Sequence, residues 1–408
     1  MTKEIVIICH NYFPEETSTG LYTTQMAEFL ARCSWEVTMI TGFPHYPKWE
    51  INESYLDKEP FFEEEINGVR VMRYKHYVPK EPSFSKRIRQ LTDFSFGSYF
   101  NLKKIERADV VFSVIPFTSS AWLGKLFSRR FRARHWIHIQ DFEFNAAWES
   151  GMIGQNIAGQ GLFKALDKIE RNILDSADVV STISKGMLAK LEDRTSTGSF
   201  FFPNWLDPDF IDPTAASVHP ILSEDHFQVL YSGNIGEKQD WKAFVNLVTE
   251  FADDKGIEFV VVGDGASRKA LEKKINHLRN VRFCDPVPQS QLNDLLCSAD
   301  LHILFQKDNV IDTVMPSKLL GMMASEVPCL VSGHPKSEVS EIFKKHECGI
   351  YLESSDLKST VSIIKELMAF GPQNQAMGKN ARKFVIDSFS SEKVLERFRI
   401  KLDSIYES

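Results

Sequence analysis

The chain has 408 residues, of which 43% are hydrophobic and 25% are charged, a composition typical of a globular protein with two or three domains. Its 48 Lys and Arg residues and 55 Asp and Glu residues give a net charge of −7, which argues against a general nucleic-acid-binding protein. The six cysteines are scattered without a CxxC pair, and no apolar run is long enough to span a bilayer. We therefore expect no disulfide framework, no cysteine metal site and no transmembrane helix.

Short apolar strands alternate with amphipathic helices through the first half of the chain. Strands are predicted at 5–9, 36–40, 69–74, 109–114, 135–139 and 178–183, and helices at 21–32, 119–130, 162–176 and 184–193. This alternation favours a mostly parallel sheet with helices on both faces. The loop after the first strand contains Gly20 but no GxGxxG, so the dinucleotide-binding fingerprint is missing.

A segment rich in Pro, Asp and Ser, which begins at 203–208 and runs to about 226, marks a domain boundary. A second α/β series follows, with strands predicted at 229–232, 258–262, 281–283, 301–305 and 327–331. Helices at 357–370, 377–387 and 393–406 close the chain. Two α/β domains of similar size predict a cleft between them, which is a common place for a ligand.

The segment 299–333 predicts a strand, a polar loop, a helix and a second strand. Pro316 suits a helix start, and Ser317 and Lys318 then place backbone N–H groups and a cation at the helix N-terminus. Such a terminus favours an anion, most simply a phosphate. An ordinary βαβ unit with a surface lysine explains the same residues equally well.

Two glycine turns follow strands of the second domain. In YSGNIGEKQ (231–239), Gly233 lets the backbone approach a ligand and Lys238 supplies a charge suited to a diphosphate. A plain glycine turn with an exposed lysine is the commoner meaning of that pattern. In VVVGDG (260–265), Gly263 ends a buried strand in a turn that can equally serve only to redirect the chain.

In the first domain, His138, Asp141 and Glu143 lie at the end of a predicted strand, where α/β proteins present ligand-facing side chains. His138 and Gln140 share one face of that strand. The histidine is either catalytic or hydrogen-bonded structure, and the residues alone favour structure. The sequence has no Ser–His–Asp spacing, nucleophile elbow or acidic metal-ligand cluster, so we expect no metal or other cofactor.

Five motifs in this order resemble the GT-B retaining glycosyltransferases of family 4, and among them the enzymes that assemble bacterial capsule, O-antigen and colanic-acid-type polysaccharides. The motifs are HIQDFEFNAAWESGM, YSGNIGEKQ, VVGDG, CSADLHILFQ and MPSKLLGMMAS, and the resemblance covers nearly the whole chain. It implies an α/β fold of two Rossmann-like, doubly wound domains facing across a cleft. Residues 1–205 would form the acceptor-side domain, 206–385 the nucleotide-sugar domain, and 386–408 a helix that returns to the N-terminal domain.

The resemblance also implies roles for the residues that match the family's motifs. His138 and Asp141 would line the reaction centre, and Lys238 would neutralise the diphosphate, all three with catalytic effect. No metal ion is implied. The other donor-binding positions would be Gly20, Gly233, Asn234, Gly263, Arg282, Phe283, Pro286, Ser317, Lys318 and Leu319.

One departure from the family concerns the ribose. The family usually has two glutamates around the loop and helix of this segment, the second of which holds the ribose hydroxyls. The matching positions here are Thr313 and Gly321. Carboxylates that could replace them are Asp312 for the first, and Glu326, Glu338 or Glu341 for the second.

The resemblance implies transfer of a sugar, with retention of configuration, from a nucleoside diphosphate donor, expected to be UDP-linked. The acceptor would be undecaprenyl-linked or a saccharide, in the synthesis of a bacterial surface polysaccharide. Two alternatives stay open. One is a GT-B nucleotide-sugar epimerase that releases free sugar, and the other is a catalytically silent nucleotide-binding subunit, which Gly321 suggests.

Residues 84–105 combine basic ends with an apolar stripe. The basic residues are Lys86, Arg87, Arg89, Lys103 and Lys104, and the stripe holds Ile88, Leu91, Phe94 and Leu102. The pattern predicts either a helix packed on the sheet or an amphipathic helix lying on an anionic membrane surface. Because the resembled enzymes often use undecaprenyl-linked acceptors, we expect a cytoplasmic protein attached peripherally to the inner membrane.

Overall fold

The computed structural model describes residues 2–15, 18–46, 48–81, 83–149, 156–223, 225–308, 317–354, 356–369 and 375–407. The chain forms two compact units. Unit 1 comprises Met1–Pro203 with Leu395–Ser408, and unit 2 comprises Asn204–Val394. Each unit contains one sheet with helices packed on it, which confirms the expected pair of Rossmann-like α/β domains.

Unit 1 is built on an eight-stranded sheet with the strand order β3-β4-β2-β1-β5-β6-β7-β8. All neighbouring strands are parallel except β3 and β4, which form an antiparallel pair at one edge. The strands are β1 (Lys3–Ile8), β2 (Trp35–Gly42), β3 (Phe61–Ile66), β4 (Val69–Tyr74), β5 (Val110–Ile115), β6 (Arg134–Ile139), β7 (Val179–Thr182) and β8 (Ser199–Phe201).

The central strands of unit 1 are apolar runs because both of their faces are covered. Every residue of β5, VVFSVI, is buried. The edge strands β3 and β8 differ, since their residues are exposed or only half-buried, and the hydrophobic pattern does not predict them. The helices are α1 (Ser18–Arg32), α2 (Phe84–Lys103), α3 (Thr118–Phe131), α4 (Glu143–Glu149), α5 (Ile157–Leu174) and α6 (Lys185–Glu192).

Helix α2 packs on the sheet, which is one of the two alternatives predicted for its apolar stripe. Leu102 joins a core cluster with Met72 of β4 and Phe127 of α3, and Phe94 is also fully buried. Ile88 is 45% exposed, so the expected stripe is divided between the core and the surface. Phe94 and Leu102 are fully buried in the core, so they are not available to lipid.

Unit 2 is built on a six-stranded, all-parallel sheet with the order β11-β10-β9-β12-β13-β14. Its strands are β9 (Phe227–Ser232), β10 (Ile257–Val262), β11 (Val281–Cys284), β12 (Leu301–Phe305), β13 (Cys329–Gly333) and β14 (Ile350–Glu353). Its helices are α7 (Trp241–Glu250), α8 (Arg268–Ile275), α9 (Leu292–Cys297), α10 (Ser317–Ala324), α11 (Glu338–His346), α12 (Leu357–Ala369), α13 (Gln375–Phe389) and α14 (Ser391–Tyr406), the last of which ends in unit 1.

Two details of unit 2 differ from the sequence pattern. The strand predicted at 327–331 is Cys329–Gly333, because Glu326 adopts a left-handed φ of 61° after α10 and the next two residues lead into the strand. The pattern does not predict β14. The strand order reverses between β9 and β12, and the crevice outside the carboxyl ends of such strands is where open α/β sheets bind ligands.

None of the described helices is both long and apolar enough to cross a bilayer.

Candidate functional site

The turns that follow β9 and β10 pack directly against each other. Gly233 has φ 129° and Gly263 has φ 151°, values that favour glycine. The amide of Gly233 donates to the carbonyl of Val262 at 2.9 Å. A Cβ on Gly263 would lie 2.0 Å from the carbonyl oxygen of Gly233, so only glycine fits there. Both glycines therefore have a structural role, which holds the backbone of the two turns close together at the carboxyl edge of the sheet.

Lys318 is the second residue of α10, and it approaches this edge from the side of β12. The strand order reverses between β9 and β12, and we call this place the switch point. Its ammonium group donates to the phenol oxygen of Tyr231 at 2.9 Å and lies 3.4 Å from the carbonyl oxygen of Asn234. A Cβ on Gly233 would lie 3.4 Å from Nζ of Lys318, so the glycine leaves room for the lysine chain. The structure thus brings together Gly233, Asn234 and Lys318. Burial lowers the pKa of Lys318 to about 8.

The other residues predicted to bind the diphosphate lie in the loop after β9 and at the start of α10. Lys238 is exposed, in the same loop as Gly233 and Asn234. Leu319 is fully buried, so only its backbone could meet a ligand. Ser317 is the first residue of α10. The positions of Pro316, Thr313 and Asp312 lie outside the described residues.

Of the residues expected near the base, Arg282 and Phe283 lie within β11 and Pro286 follows it. Arg282 pairs with Glu258 on the neighbouring strand, at 2.9 Å and 2.8 Å, and donates to the carbonyl of Ile221 at 2.6 Å. Its guanidinium is therefore engaged beside the sheet. Phe283 is half-buried within β11. Pro286 is exposed just past the carboxyl end of the strand, the same edge as Gly233 and Gly263.

Gly321 lies inside α10, where a Cβ would come within 3.2 Å of Cδ1 of Leu296. A glutamate here would need Leu296 to move. Of the proposed replacements, Glu326 is 3.7 Å from Arg382 in an ion pair beyond the C-terminal end of α10. Glu338 and Glu341 lie in the first turn of α11.

A cavity of about 310 Å³ also lies in unit 2, and its lining holds none of the predicted site residues. Asp240, Asn246, Phe305 and Leu357 are among the residues that line it.

In unit 1, His138 is 4% exposed and both of its ring nitrogens have partners. Nδ1 lies 2.9 Å from Oγ of Ser181, and Nε2 lies 3.0 Å from Nε2 of Gln140. The contact with Gln140 agrees with their expected common face of the strand. Burial lowers the pKa of His138 to about 3, so the imidazole is neutral at physiological pH. Asp141 is exposed immediately after β6.

Gly20 lies in the first turn of α1, where a Cβ would come within 2.7 Å of the carbonyl oxygen of Glu15. Its carbonyl accepts a hydrogen bond from Thr24 at 2.8 Å. Glycine is needed here for close packing of the preceding loop on the helix.

The structure also assembles a cluster that the sequence analysis missed. His10, His45 and His76 follow the carboxyl ends of β1, β2 and β4 by no more than three residues, and those strands are neighbours in the sheet. One potential ligand atom from each lies within 4.8 Å of the others, the one such group among the described residues. About thirty residues separate each histidine from the next, so no short motif marks them. Their common offset from strand ends is the only signal in the sequence.

Two family models match the chain in succession. The "Glycosyl transferase 4-like domain" matches residues 18–197, and "Glycosyl transferases group 1" matches residues 217–384. The chain is 30% identical to a protein of Escherichia coli (strain K12) named as the colanic acid biosynthesis glycosyl transferase WcaI, over 97% of this chain and 98% of that protein.

Solved structures show the same fold at low identity. Sucrose-phosphate synthase from Thermosynechococcus elongatus superposes with a TM-score of 0.73 at 16% identity, over 99% of each chain. Anabaena Alr3699/HepE, solved in complex with UDP-glucose, gives a TM-score of 0.66 at 12% identity, over 98% of this chain and 99% of that one. These similarities confirm the expected GT-B fold.

Proposed function

Since the chain belongs to the glycosyltransferases, we propose that it transfers a sugar from a UDP-linked donor to a lipid-linked or saccharide acceptor in the synthesis of a bacterial surface polysaccharide. The class of pathway follows the name of WcaI, which assigns that relative to colanic acid biosynthesis. The choice of UDP follows the UDP-glucose bound to the HepE relative of the same fold. Retention of configuration follows the resemblance of the five sequence motifs to family 4.

One observation carries the assignment of the donor site. Gly233, Asn234 and Lys318 converge at the switch point of the unit 2 sheet, where close backbone and a cation meet. The N-terminus of α10, at Ser317, presents backbone N–H groups at the same edge. A diphosphate needs these features, since its oxygens accept N–H hydrogen bonds and carry negative charge.

Catalysis then rests on stabilising the departing nucleoside diphosphate. As the glycosidic bond to the donor breaks, negative charge grows on the diphosphate oxygens, and fixed cations and N–H groups stabilise that charge more than they stabilise the ground state. We assign this role to Lys238 and Lys318. These cations let the step proceed without a divalent metal at the diphosphate.

Among the unit 1 residues, Asp141 is the one we assign to the reacting sugar, because it is exposed directly after β6. His138 is a positioning residue in this proposal. Its buried ring contacts Ser181 on one side and Gln140 on the other, and so holds the strand end that carries Asp141.

We place the enzyme on the cytoplasmic face of the inner membrane, where an undecaprenyl-linked acceptor would meet it. The supporting surface is an aromatic patch, which we define as Phe61, Phe96 and Phe100 with Lys103 and Lys104. Phe96 is 59% exposed and its ring lies 4.8 Å from that of Phe100, which is 40% exposed. Exposed aromatic rings beside lysines suit the boundary between headgroups and acyl chains.

The proposal is tested first by thermal shift with UDP-, GDP- and ADP-sugars, because a ligand that binds the folded state raises the melting temperature. The donor that stabilises the protein is then incubated with lipid extract as acceptor, and the anomeric configuration of the product is read by NMR. We expect a UDP-sugar to stabilise the protein and to be consumed only when acceptor is present.

Three outcomes would contradict the proposal. Release of free sugar without acceptor would indicate the epimerase alternative. Donor binding without transfer to any acceptor would indicate a silent subunit. Failure of every nucleotide-sugar to stabilise the protein would reject the donor site itself.

A further inference from the structure

His10, His45 and His76 form a compact buried group at the carboxyl edge of the unit 1 sheet. Each is at most 5% exposed, and their ring centroids are 4.6 to 5.0 Å apart. Phe117 stacks on His10 at 3.9 Å, and Phe94 lies 4.9 Å from the same ring, so aromatic side chains cover the group on the side of His10. Three imidazoles converging in such a buried place need an explanation beyond packing.

The Nδ1 atom of His10 must carry a proton. It lies 3.3 Å from Oδ1 of Asn11, and the orientation of that amide is fixed because Nδ2 of Asn11 donates to the carboxylate of Glu15 at 2.6 Å. The amide therefore presents an acceptor to His10, and the ring must donate through Nδ1.

Oxygen acceptors also face Nδ1 of the other two histidines, which favours the same tautomer in both. Nδ1 of His45 lies 3.1 Å from the carbonyl oxygen of Phe43 and 3.4 Å from Oε1 of Glu15, both acceptors. Nδ1 of His76 lies 3.4 Å from the carbonyl oxygen of Tyr74. With each Nδ1 donating, each neutral ring keeps a lone pair on Nε2.

The lone pairs of His10 and His76 then face each other, because their Nε2 atoms are only 2.9 Å apart. Two acceptors at that distance repel unless a cation lies between or beside them. His45 is also an acceptor at Nε2. Nε2 of His45 lies 3.4 Å from the side-chain nitrogen of Gln90. The side-chain oxygen of Gln90 accepts a hydrogen bond from Arg87 at 3.1 Å.

We propose that the Nε2 atoms of His10, His45 and His76 bind one divalent transition-metal ion of the zinc class. Imidazole nitrogens are preferred ligands of these ions, and three histidines with a fourth position open to water or another ligand is a known tetrahedral arrangement. In metal-binding histidines, the ring nitrogen that does not bind the metal usually donates to an oxygen acceptor. That hydrogen bond fixes the tautomer and orients the ring.

Binding requires the ring nitrogens, which lie within 4.8 Å of one another, to adjust to the spacing of a tetrahedral site. Zinc–nitrogen bonds of about 2.0–2.1 Å in a tetrahedral site place ligand nitrogens about 3.3 Å apart. The separation between His10 and His76 would open slightly, and Gln90 would give up its long contact with His45. The charge of the ion is opposed by Arg87 and favoured by Glu15, whose carboxylate also accepts from the amides of His45 and Tyr46.

The test measures metal in the full-length, untagged protein purified from medium supplemented with zinc. We expect about one zinc per chain by mass spectrometry, and the bands of tetrahedral cobalt when Co²⁺ is added to chelator-treated protein. His10→Gln and His76→Gln should each lose the bound metal. His302→Gln should retain it, because His302 is an equally buried histidine in unit 2, bonded to the carbonyl of Leu296 and to Ser325.

The wild-type protein alone can overturn the proposal. Less than about 0.1 zinc per chain together with no cobalt bands would do so, even where a variant fails to fold. Equal metal content in the wild type and in folded His10→Gln and His76→Gln would place the ion elsewhere. Nitrogen NMR of the metal-free wild type provides a further test. If it shows a single imidazolium that does not respond to added zinc, a shared proton, and not a metal ion, lies between the histidines.

Discussion

The ammonium group of Lys318 donates to the phenol oxygen of Tyr231 across 2.9 Å and lies 4.8 Å from the centre of the same ring. Tyr231 is the last residue but one of β9 and Lys318 is the second residue of α10, so this contact joins the two sides of the point in unit 2 where the strand order reverses. It fixes the lysine beside Gly233 in a partly buried position, and that burial lowers its pKa to about 8.

The lowered pKa of Lys318 predicts a pH-dependent affinity for UDP. The free enzyme loses this proton as pH rises through about 8, whereas a bound diphosphate favours the charged ammonium. Affinity should therefore fall above about pH 8, by up to about tenfold per pH unit. Calorimetry from about pH 7 to about pH 9.5 measures this slope. The affinity of the Lys318→Arg variant for UDP should not change over this pH range, since arginine stays charged. A wild-type profile as flat as that of the arginine variant would contradict the assignment.

Lys238→Ala should reduce turnover by more than about tenfold, which corresponds to ~1.4 kcal/mol of barrier. The fold should be unchanged because the side chain is exposed. Lys242→Ala is the matched control, an exposed lysine four residues later at the start of α7, and it should keep full activity. Steady-state kinetics measure the turnover of both variants. A loss of turnover smaller than about tenfold in Lys238→Ala would contradict the role of Lys238 at the diphosphate.

Transfer should not need Mg²⁺ or Mn²⁺, because the proposed cations at the diphosphate are lysines. Activity should persist in EDTA and should not rise when either ion is added. These ions prefer oxygen ligands, so they also differ from the ion proposed for the buried histidines. Loss of activity in EDTA that Mg²⁺ or Mn²⁺ restores would show that the diphosphate is bound through a metal.

Arg73 should be essential for the stability of unit 1. Its side chain is fully buried, pairs with Glu64, and donates to the carbonyls of Gly42 and Phe13. Arg73→Met removes the cation and its hydrogen bonds from this buried place, although Glu64 keeps the hydrogen bond from the Tyr55 hydroxyl at 3.0 Å, and should cost about 3–5 kcal/mol in the free energy of unfolding. Arg70→Met, which breaks the exposed pair with Glu63 on the same two strands, should cost less than about 1 kcal/mol. Urea unfolding compares them, and equal losses would refute the role given to burial.

Attachment to the membrane should depend on the aromatic patch. Lys103→Gln with Lys104→Gln should reduce co-sedimentation with anionic liposomes, because each lysine near the surface contributes about 1 kcal/mol, and added salt should weaken binding of the wild type. The control is Lys344→Gln with Lys345→Gln, an adjacent pair of exposed lysines in α11. The idea fails if both double variants sediment like the wild type.

Local patterns in the sequence were enough to locate the sheets. The strands Val69–Tyr74 and Leu301–Phe305 have the bounds predicted for them. Every residue of Leu301–Phe305 is buried, as expected of a central strand that is covered on both faces. Gly233 and Gly263 were likewise found from their positions after such runs. The short edge strand Ser199–Phe201 was not, since a half-buried strand of three residues has no distinctive pattern.

The sequence by itself determined where most of the central strands lie, which turns after them contain glycine, and that polar residues follow the strand ends. Only the tertiary structure decided which of those ends are neighbours. The order β4-β2-β1 brings His76, His45 and His10 together, and the β9–β12 pairing brings Tyr231 to Lys318. Hydrophobic periodicity is a local property of the chain, whereas strand order is set by packing of the whole sheet, and no short stretch of sequence contains it.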